Sequence, residues 1–189
     1  MKKSIVFSIL AVIAAPTWAL NTDKSQPIEV HADKFNGDEV KQTAIYSGNV
    51  AVDQGSMNLT GARLELAITP KGYRRATITG SPARFKQKRD PKTKGIEEWV
   101  HASANRIVYD EETDKITLEG RAQLSRNENG QQKDMTSGER IIYDMRNARS
   151  EVNSGEGKRV TTIIAPRTKS SSDTQRQGAP LSNSTKLQQ

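Results

Sequence analysis

The sequence predicts an all-β protein, a sandwich, barrel or roll of short antiparallel strands. Three observations carry this expectation. Short runs alternate apolar and polar side chains with period two, Gly, Asn, Asp and Pro signals interrupt them at close intervals, and no window sustains a helical period. A strand-turn-strand pattern also recurs along the chain, as in architectures built by stacking one unit on the next.

The chain opens with Lys2 and Lys3, an apolar run over residues 5–15, and Pro16-Thr17-Trp18-Ala19 with small residues at the third and first positions before a break. This is the pattern of a secretory signal cleaved after Ala19. A retained anchor is the competing reading, but the run contains Pro16 and falls short of the roughly 20 apolar residues a spanning helix needs. The mature protein is therefore expected to be exported and soluble, with no nucleic-acid partner despite its net charge of +7.

After a polar lead-in, Ile28-Glu29-Val30-His31-Ala32-Asp33 alternates as a half-buried strand does, and Asn36-Gly37-Asp38-Glu39 offers a turn. Tyr46-Ser47-Gly48-Asn49-Val50-Ala51-Val52 and Leu64-Glu65-Leu66-Ala67-Ile68 are further strand-like runs, broken at Gly55-Ser56 and Gly61. Similar runs follow around residues 76–85, 98–109, 115–124, 139–143 and 159–165, each expected to be 5 to 9 residues long. From Pro166 onward Ser, Thr, Gln, Arg and Lys dominate, a composition that cannot offset its own ordering entropy. The expected organisation is a signal over residues 1–19, one β domain over 20–165 and a disordered basic tail over 166–189.

Three segments echo one another in order. Val30-His31-Ala32-Asp33 resembles Val100-His101-Ala102-Ser103, Gly48-Asn49-Val50 resembles Gly120-Arg121-Ala122, and Gly61-Ala62-Arg63-Leu64 resembles Gly138-Glu139-Arg140-Ile141. The offsets drift from 70 through 72 to 77, and a partial copy begins at Thr79-Gly80. Two related β segments following each other make an elongated stack with two ends.

Composition excludes several chemistries. No cysteine is present, which removes disulfides, thiolate zinc sites and thiol nucleophiles. His31 and His101 would form a symmetric pair if the first echo holds, yet neither has partners at a metal-ligand spacing, and each alternates with apolar neighbours as an outward strand residue does. Glu97-Glu98 and Glu111-Glu112 could supply the two carboxylates of a glycosidase, but adjacent strand residues point to opposite faces. No nucleophile elbow or phosphate loop is present. No catalytic residue, metal or cofactor is therefore expected, with an enzyme acting on glycan or lipid as the alternative. Between residues 84 and 94 stand Arg84, Lys86, Lys88, Arg89, Lys92 and Lys94 against Asp90, read as a basic hairpin loop able to attract anionic lipid or glycan.

Beyond Ala19, 29 of 170 residues are Leu, Ile, Val or Phe, about 17%, close to the disordered class although the chain alternates like a folded one. If each strand turns one face inward, the interior collects Ile28, Val30, Val50, Val52, Leu64, Leu66, Phe85, Ile107, Tyr109, Ile116, Leu118, Leu124, Ile141 and Tyr143. So few large side chains suggest an incompletely filled roll with room for an apolar guest.

Gln26-Pro27-Ile28, the run Tyr46 through Val52, His101-Ala102-Ser103, Leu118-Glu119-Gly120 and above all Gly157-Lys158-Arg159-Val160-Thr161-Thr162-Ile163-Ile164-Ala165-Pro166 resemble the OstA-like family of periplasmic lipopolysaccharide-transport proteins. The likeness spans about residues 26–166; the basic insertion over 84–95 and the turn over 110–114 depart from it. The resemblance implies an open, twisted β-jelly roll that shields lipid A acyl chains while lipopolysaccharide crosses the periplasm. It also implies the membrane-anchored LptC as donor, the outer-membrane LptD with LptE as acceptor, and stacking into a head-to-tail homo-oligomer. By matching motif, ligand contacts fall on Ile28, Phe85, Ile107 and Tyr109. The edge strands would carry Ile28 and Val30 at one end and Val160, Thr162, Ile163 and Ile164 at the other, where unpaired backbone invites β-augmentation. LptC itself is the alternative within the machine, disfavoured by the short apolar run at the N-terminus.

Overall fold

The computed structural model describes residues 21–89 and 95–166; the expected signal segment, residues 90–94 of the basic stretch and residues 167–189 of the tail lie outside them. A short helix α1 (Asn21–Ser25) precedes ten strands: β1 (Glu29–His31), β2 (Lys34–Asp38), β3 (Thr43–Gln54), β4 (Met57–Ile68), β5 (Arg74–Arg89), β6 (Glu98–Asp110), β7 (Lys115–Glu128), β8 (Gln131–Asp144), β9 (Arg149–Asn153) and β10 (Thr161–Ile164). All pair antiparallel in one sheet of order β1-β3-β4-β5-β6-β7-β8-β10, with β2 also on β3 and β9 also on β8.

The strands are longer than the sequence pattern predicts, 12 to 16 residues for β3 through β8. Gly61, read as a break, is an irregularity inside β4, as Gly120 is inside β7, because a bulge interrupts the alternation without ending the ladder. Likewise Asn36, Gly37 and Asp38 belong to β2 rather than to a turn, and the chain reverses over residues 39–42. Residues 84–89 of the expected basic loop are strand, paired with β6.

Register shifts fall at Ser47/Val50, Thr60/Arg63, Thr79/Ala83, Ser103/Arg106 and Glu119/Ala122, at successive neighbouring pairs from β3–β4 to β7–β8, with a further one in β7–β8 at Arg126/Asn127 away from this line. Aligned across the sheet, they form a crease. On one side of it the order is β1-β3-β4-β5-β6-β7-β8-β10, on the other β2-β3-β4-β5-β6-β7-β8-β9, so one sheet folds into two half-sheets. At Gly48 (φ 80) and Gly120 (φ 76) the crease demands the left-handed region, and an added Cβ would run into the side chains of Asp33 and Asn105 respectively. The buried apolar side chains of both half-sheets form one cluster between them.

The internal echo is structural, with a corrected register. Val30 pairs Val52 as Ala102 pairs Leu124, and Phe35 pairs Tyr46 as Ile107 pairs Leu118, every residue shifted by 72. His31 therefore corresponds to Ser103 and not to His101, so the expected histidine pair does not exist. A slip of two keeps every side chain on its own face, so alternation cannot detect it. Tyr46 pairs Leu64, which pairs Ile78; Leu118 pairs Ile141, which pairs Val152. Leu59 pairs Phe85, and Thr136 pairs Thr162. Hence β1 with β2 is a broken β6, and β9 with β10 is a broken β5.

Candidate functional site

Two rows of cross-strand partners line the space between the half-sheets. The first runs Val30, Val52, Leu59, Phe85, Ala102, Leu124, Thr136 and Thr162. The second runs Phe35, Tyr46, Leu64, Ile78, Ile107, Leu118, Ile141 and Val152 on the other half-sheet.

Every residue assigned to the interior from sequence is inside or at its rim. Val50, Val52, Leu64, Phe85, Ile107, Tyr109, Ile116, Leu118, Ile141 and Tyr143 are buried; Ile28, Val30 and Leu124 are partly buried against them. Leu66 is half-buried and lines an apolar pocket with them. Sequence reasoning missed Met57, Leu59, Ile78, Val100 and the small residues Ala83, Ala102, Ala104 and Ala122. Leu59 and Ile78 were legible as cross-strand partners of Val52 and Leu64 once the crease was known; the alanines carried no signal, since one methyl group marks no face.

The apolar end of the interior is nearly filled in this conformation. The apolar pocket at the β1 end, between Ile28, Val30, Val52, Leu59, Leu66 and Tyr109, measures about 30 Å³, the share of one water molecule in the liquid. The shortage of large residues is met by the alanines, which let the half-sheets approach, rather than by an empty channel. Burial and Asp114 push the Tyr109 phenol up to about 12.

Towards β10 the interior turns polar. A pocket of about 320 Å³ lies between Arg89, Glu98, Leu124, Arg126, Asp134 and Tyr143. Arg89 Nη1 donates to Glu98 Oε1 at 2.8 Å and Arg126 Nη2 to Asp134 Oδ2 at 2.7 Å. The Tyr143 hydroxyl is buried with no hydrogen-bond partner, and burial raises its pKa. The groove thus has an apolar mouth at β1 and a charged one at β10.

Opposite the crease, α1 bridges the half-sheets. Asp23 accepts from the Ser56 backbone N–H at 2.9 Å, from Ser56 Oγ at 2.6 Å and from Gln87 Nε2 at 3.1 Å, all on the β1 side. Lys24 Nζ lies 2.9 Å from Asp114 Oδ2 on the other side.

The acidic pairs weighed for catalysis serve as strand staples. Glu97 pairs Lys88, Glu98 pairs Arg89, Glu111 pairs Arg74 and Glu112 pairs Lys71, each across neighbouring strands or turns. Among the described residues, no three His, Asp or Glu groups are placed to hold a metal ion. At the ends of the sheet Phe35, Ile163 and Ile164 are exposed, as is Val160, which precedes β10.

Comparison with known proteins converges on this architecture. The family described as LptA/(LptD N-terminal domain) LPS transport protein matches residues 29–149. The chain belongs to that family. Within this LPS-transport family, lipopolysaccharide export system protein LptH of Pseudomonas aeruginosa is 31% identical over 167 residues, covering 84% of this chain and 86% of the relative. Lipopolysaccharide export system protein LptA of Escherichia coli K12 is 28% identical over 166 residues, covering 86% and 83%. The crystal structure of LptH, described as the LptA homologous periplasmic component of the lipopolysaccharide transport device of P. aeruginosa, superposes with a TM-score of 0.64 at 28% identity, over 77% of this chain and 99% of that one. The nearly all-β, single-sheet fold of the LPS-transport family is therefore shared. Among the described residues no helix is long and apolar enough to cross a membrane.

Proposed function

We propose that this protein is a periplasmic carrier of lipopolysaccharide, holding the acyl chains of lipid A between the two half-sheets and passing the lipid from inner to outer membrane. The observation that carries this is the continuous inward apolar face running through Val30, Val52, Leu59 and Phe85 on one half and Leu64, Ile78, Ile107 and Leu118 on the other, in a chain of the LPS-transport family. Each acyl methylene moved out of water contributes about 0.8 kcal/mol, enough in sum to spread half-sheets that are joined along their open side only by α1 and side-chain contact. The crease acts as the hinge. A signal cleaved after Ala19, delivery from LptC and hand-over to LptD with LptE complete the reading.

The broken strands at the two ends supply the bridge. Because β9 with β10 repeats β5, and β1 with β2 repeats β6, a second copy docking its β1–β2 end onto the β9–β10 end reproduces the internal β5–β6 seam. That seam pairs Ile78 with Ile107 and Phe85 with Ala102. The repeat then sets Val152 against Phe35 and Thr162 against Val30 of the next copy, and head-to-tail pairing of this kind continues without closing.

A photo-crosslinking residue at Tyr109 or Phe85 captures lipopolysaccharide in cells, whereas one at Thr117 does not; capture at Thr117 alone would overturn the groove. For the bridge, V152C with F35C polymerises on oxidation in solution, and equal polymerisation of V152C with N36C would refute the register.

A further inference from the structure

The outer face of the same sheet carries a second site. On the β1 side of the crease, two adjacent rows face away from the groove: Asn58, Lys86, His101, Ser125 and Met135, and beside it Thr60, Arg84, Ser103 and Gln123. Together with Gln132 they line a depression of about 320 Å³, at the lower end of small-molecule pockets, roughly 300–1,000 Å³. No carboxylate lines it.

The cations there have no carboxylate partner. Lys88 and Arg89, next along β5, are ion-paired, whereas Arg84 and Lys86, like Lys34, Arg63 and Lys115 elsewhere, form no ion pair among the described residues; what sets them apart is that both line one depression. The acids on flanking positions are engaged elsewhere, Asp53 by Asn58 Nδ2 at 2.7 Å and Glu97 by Lys88 and Trp99. Lys86 stands directly across from His101, and the imidazole pKa is lowered by burial and by that ammonium. Two cations at neighbouring positions beside a histidine, with no carboxylate between them, give an anion seated there attraction from both. The feature is particular to this seam: the repeat puts Ile163 where Lys86 stands and Glu29 where His101 stands.

We propose that this depression binds a phosphorylated saccharide, with Arg84 and Lys86 on the phosphate and the amides and hydroxyls of Asn58, Ser103, Gln123, Ser125 and Gln132 on the sugar hydroxyls. Guanidinium and ammonium together recognise phosphate by a directional fork and a point charge, and short polar side chains on rigid strands hold hydroxyls in fixed geometry. Its identification with the sugar head of the transported lipid rests on the carrier reading; the site itself does not. A glycolipid with its chains in the groove of one copy then has a polar foothold on the outside of the sheet.

The test is NMR titration of the full chain, following the His101 ring, with glucose 6-phosphate, glucose and inorganic phosphate at constant ionic strength. Saturable shifts with glucose 6-phosphate, at least tenfold tighter than with either other probe, are expected, and R84Q/K86Q weakens them tenfold or more. Equal affinity for inorganic phosphate means an ion site only and overturns the saccharide; absent saturation, or an unchanged affinity in R84Q/K86Q, overturns the site. Binding of an apolar fluorescent probe between the half-sheets is the same in R84Q/K86Q and the parent, so failure of the groove shows separately from failure here. Circular dichroism of the double variant matches the parent, since both side chains project outward.

Discussion

Lys24 and Asp114 tie the N-terminal helix to the far half-sheet: the ammonium sits 2.9 Å from a carboxylate whose side chain is only 9% exposed. Asp23, one residue earlier, is bound to Ser56 and Gln87 on the near half-sheet. A five-residue helix therefore spans the open side of the folded sheet opposite its hinge.

Loosening that bridge eases entry to the groove. Because Lys24 is substantially exposed, solvent screens the pair, and K24A is expected to cost only about 1 kcal/mol of stability. Its larger effect is kinetic: an apolar fluorescent probe enters K24A and D114N several-fold faster than the parent, and the charge swap K24D/D114K restores the slow rate. Unchanged entry in both single variants would show that the helix does not gate the groove.

Enlarging the groove trades stability for binding. Leu64 is 1% exposed and lines the apolar pocket at the β1 end, so L64A costs about 2–5 kcal/mol in chemical denaturation. The cavity it leaves is apolar, and affinity for a detergent or fatty acid rises by calorimetry. A loss of stability with no gain in affinity would place the guest elsewhere.

The crease depends on backbone that only glycine adopts freely. G120A meets both a left-handed φ and the Asn105 side chain, and is expected to cost about 1–3 kcal/mol. Gly72 also has positive φ, 85°, but open space around it, so G72A carries the φ penalty alone. G120A should be the more damaging of the two in urea unfolding; equal losses would mean that packing at the crease contributes nothing.

Acid should undo one of the staples. Hydrogen bonds from Arg74 hold the Glu111 carboxyl below its ordinary value of 4.5, against the opposing effect of burial. A carboxyl with a depressed folded pKa stabilises the fold above its unfolded value, and that contribution disappears as pH falls through the folded value. The stability gap between the parent and E111Q is therefore full near neutral pH and closes below about 4.5. A gap independent of pH would exclude the pair as its source.

Period-two alternation identified strands and faces because the two faces of a half-buried strand meet different solvents, and a residue such as Leu118 or Ile141 has only one side on which to be buried. It could not show that Gly61 bends a strand rather than ends it, since a bulge and a turn use the same residues. Nor could it fix the repeat at 72 instead of 70 for His31, because a two-residue slip leaves every face unchanged. Arg84 and Lys86 read as belonging to a basic loop; strand pairing placed them beside His101 and Ser125, which lie far off in sequence.

The sequence by itself therefore determined the all-β class, the inward apolar set, the kinship carried by its closing segment and the existence of a repeat. These follow from composition and local alternation. The tertiary structure alone decided the crease, the helix that spans the open side, an interior filled at its apolar end and open at its charged one, and the unpaired cations outside. Each depends on residues from distant strands meeting at one register, and register is a property of the assembled sheet rather than of any single run.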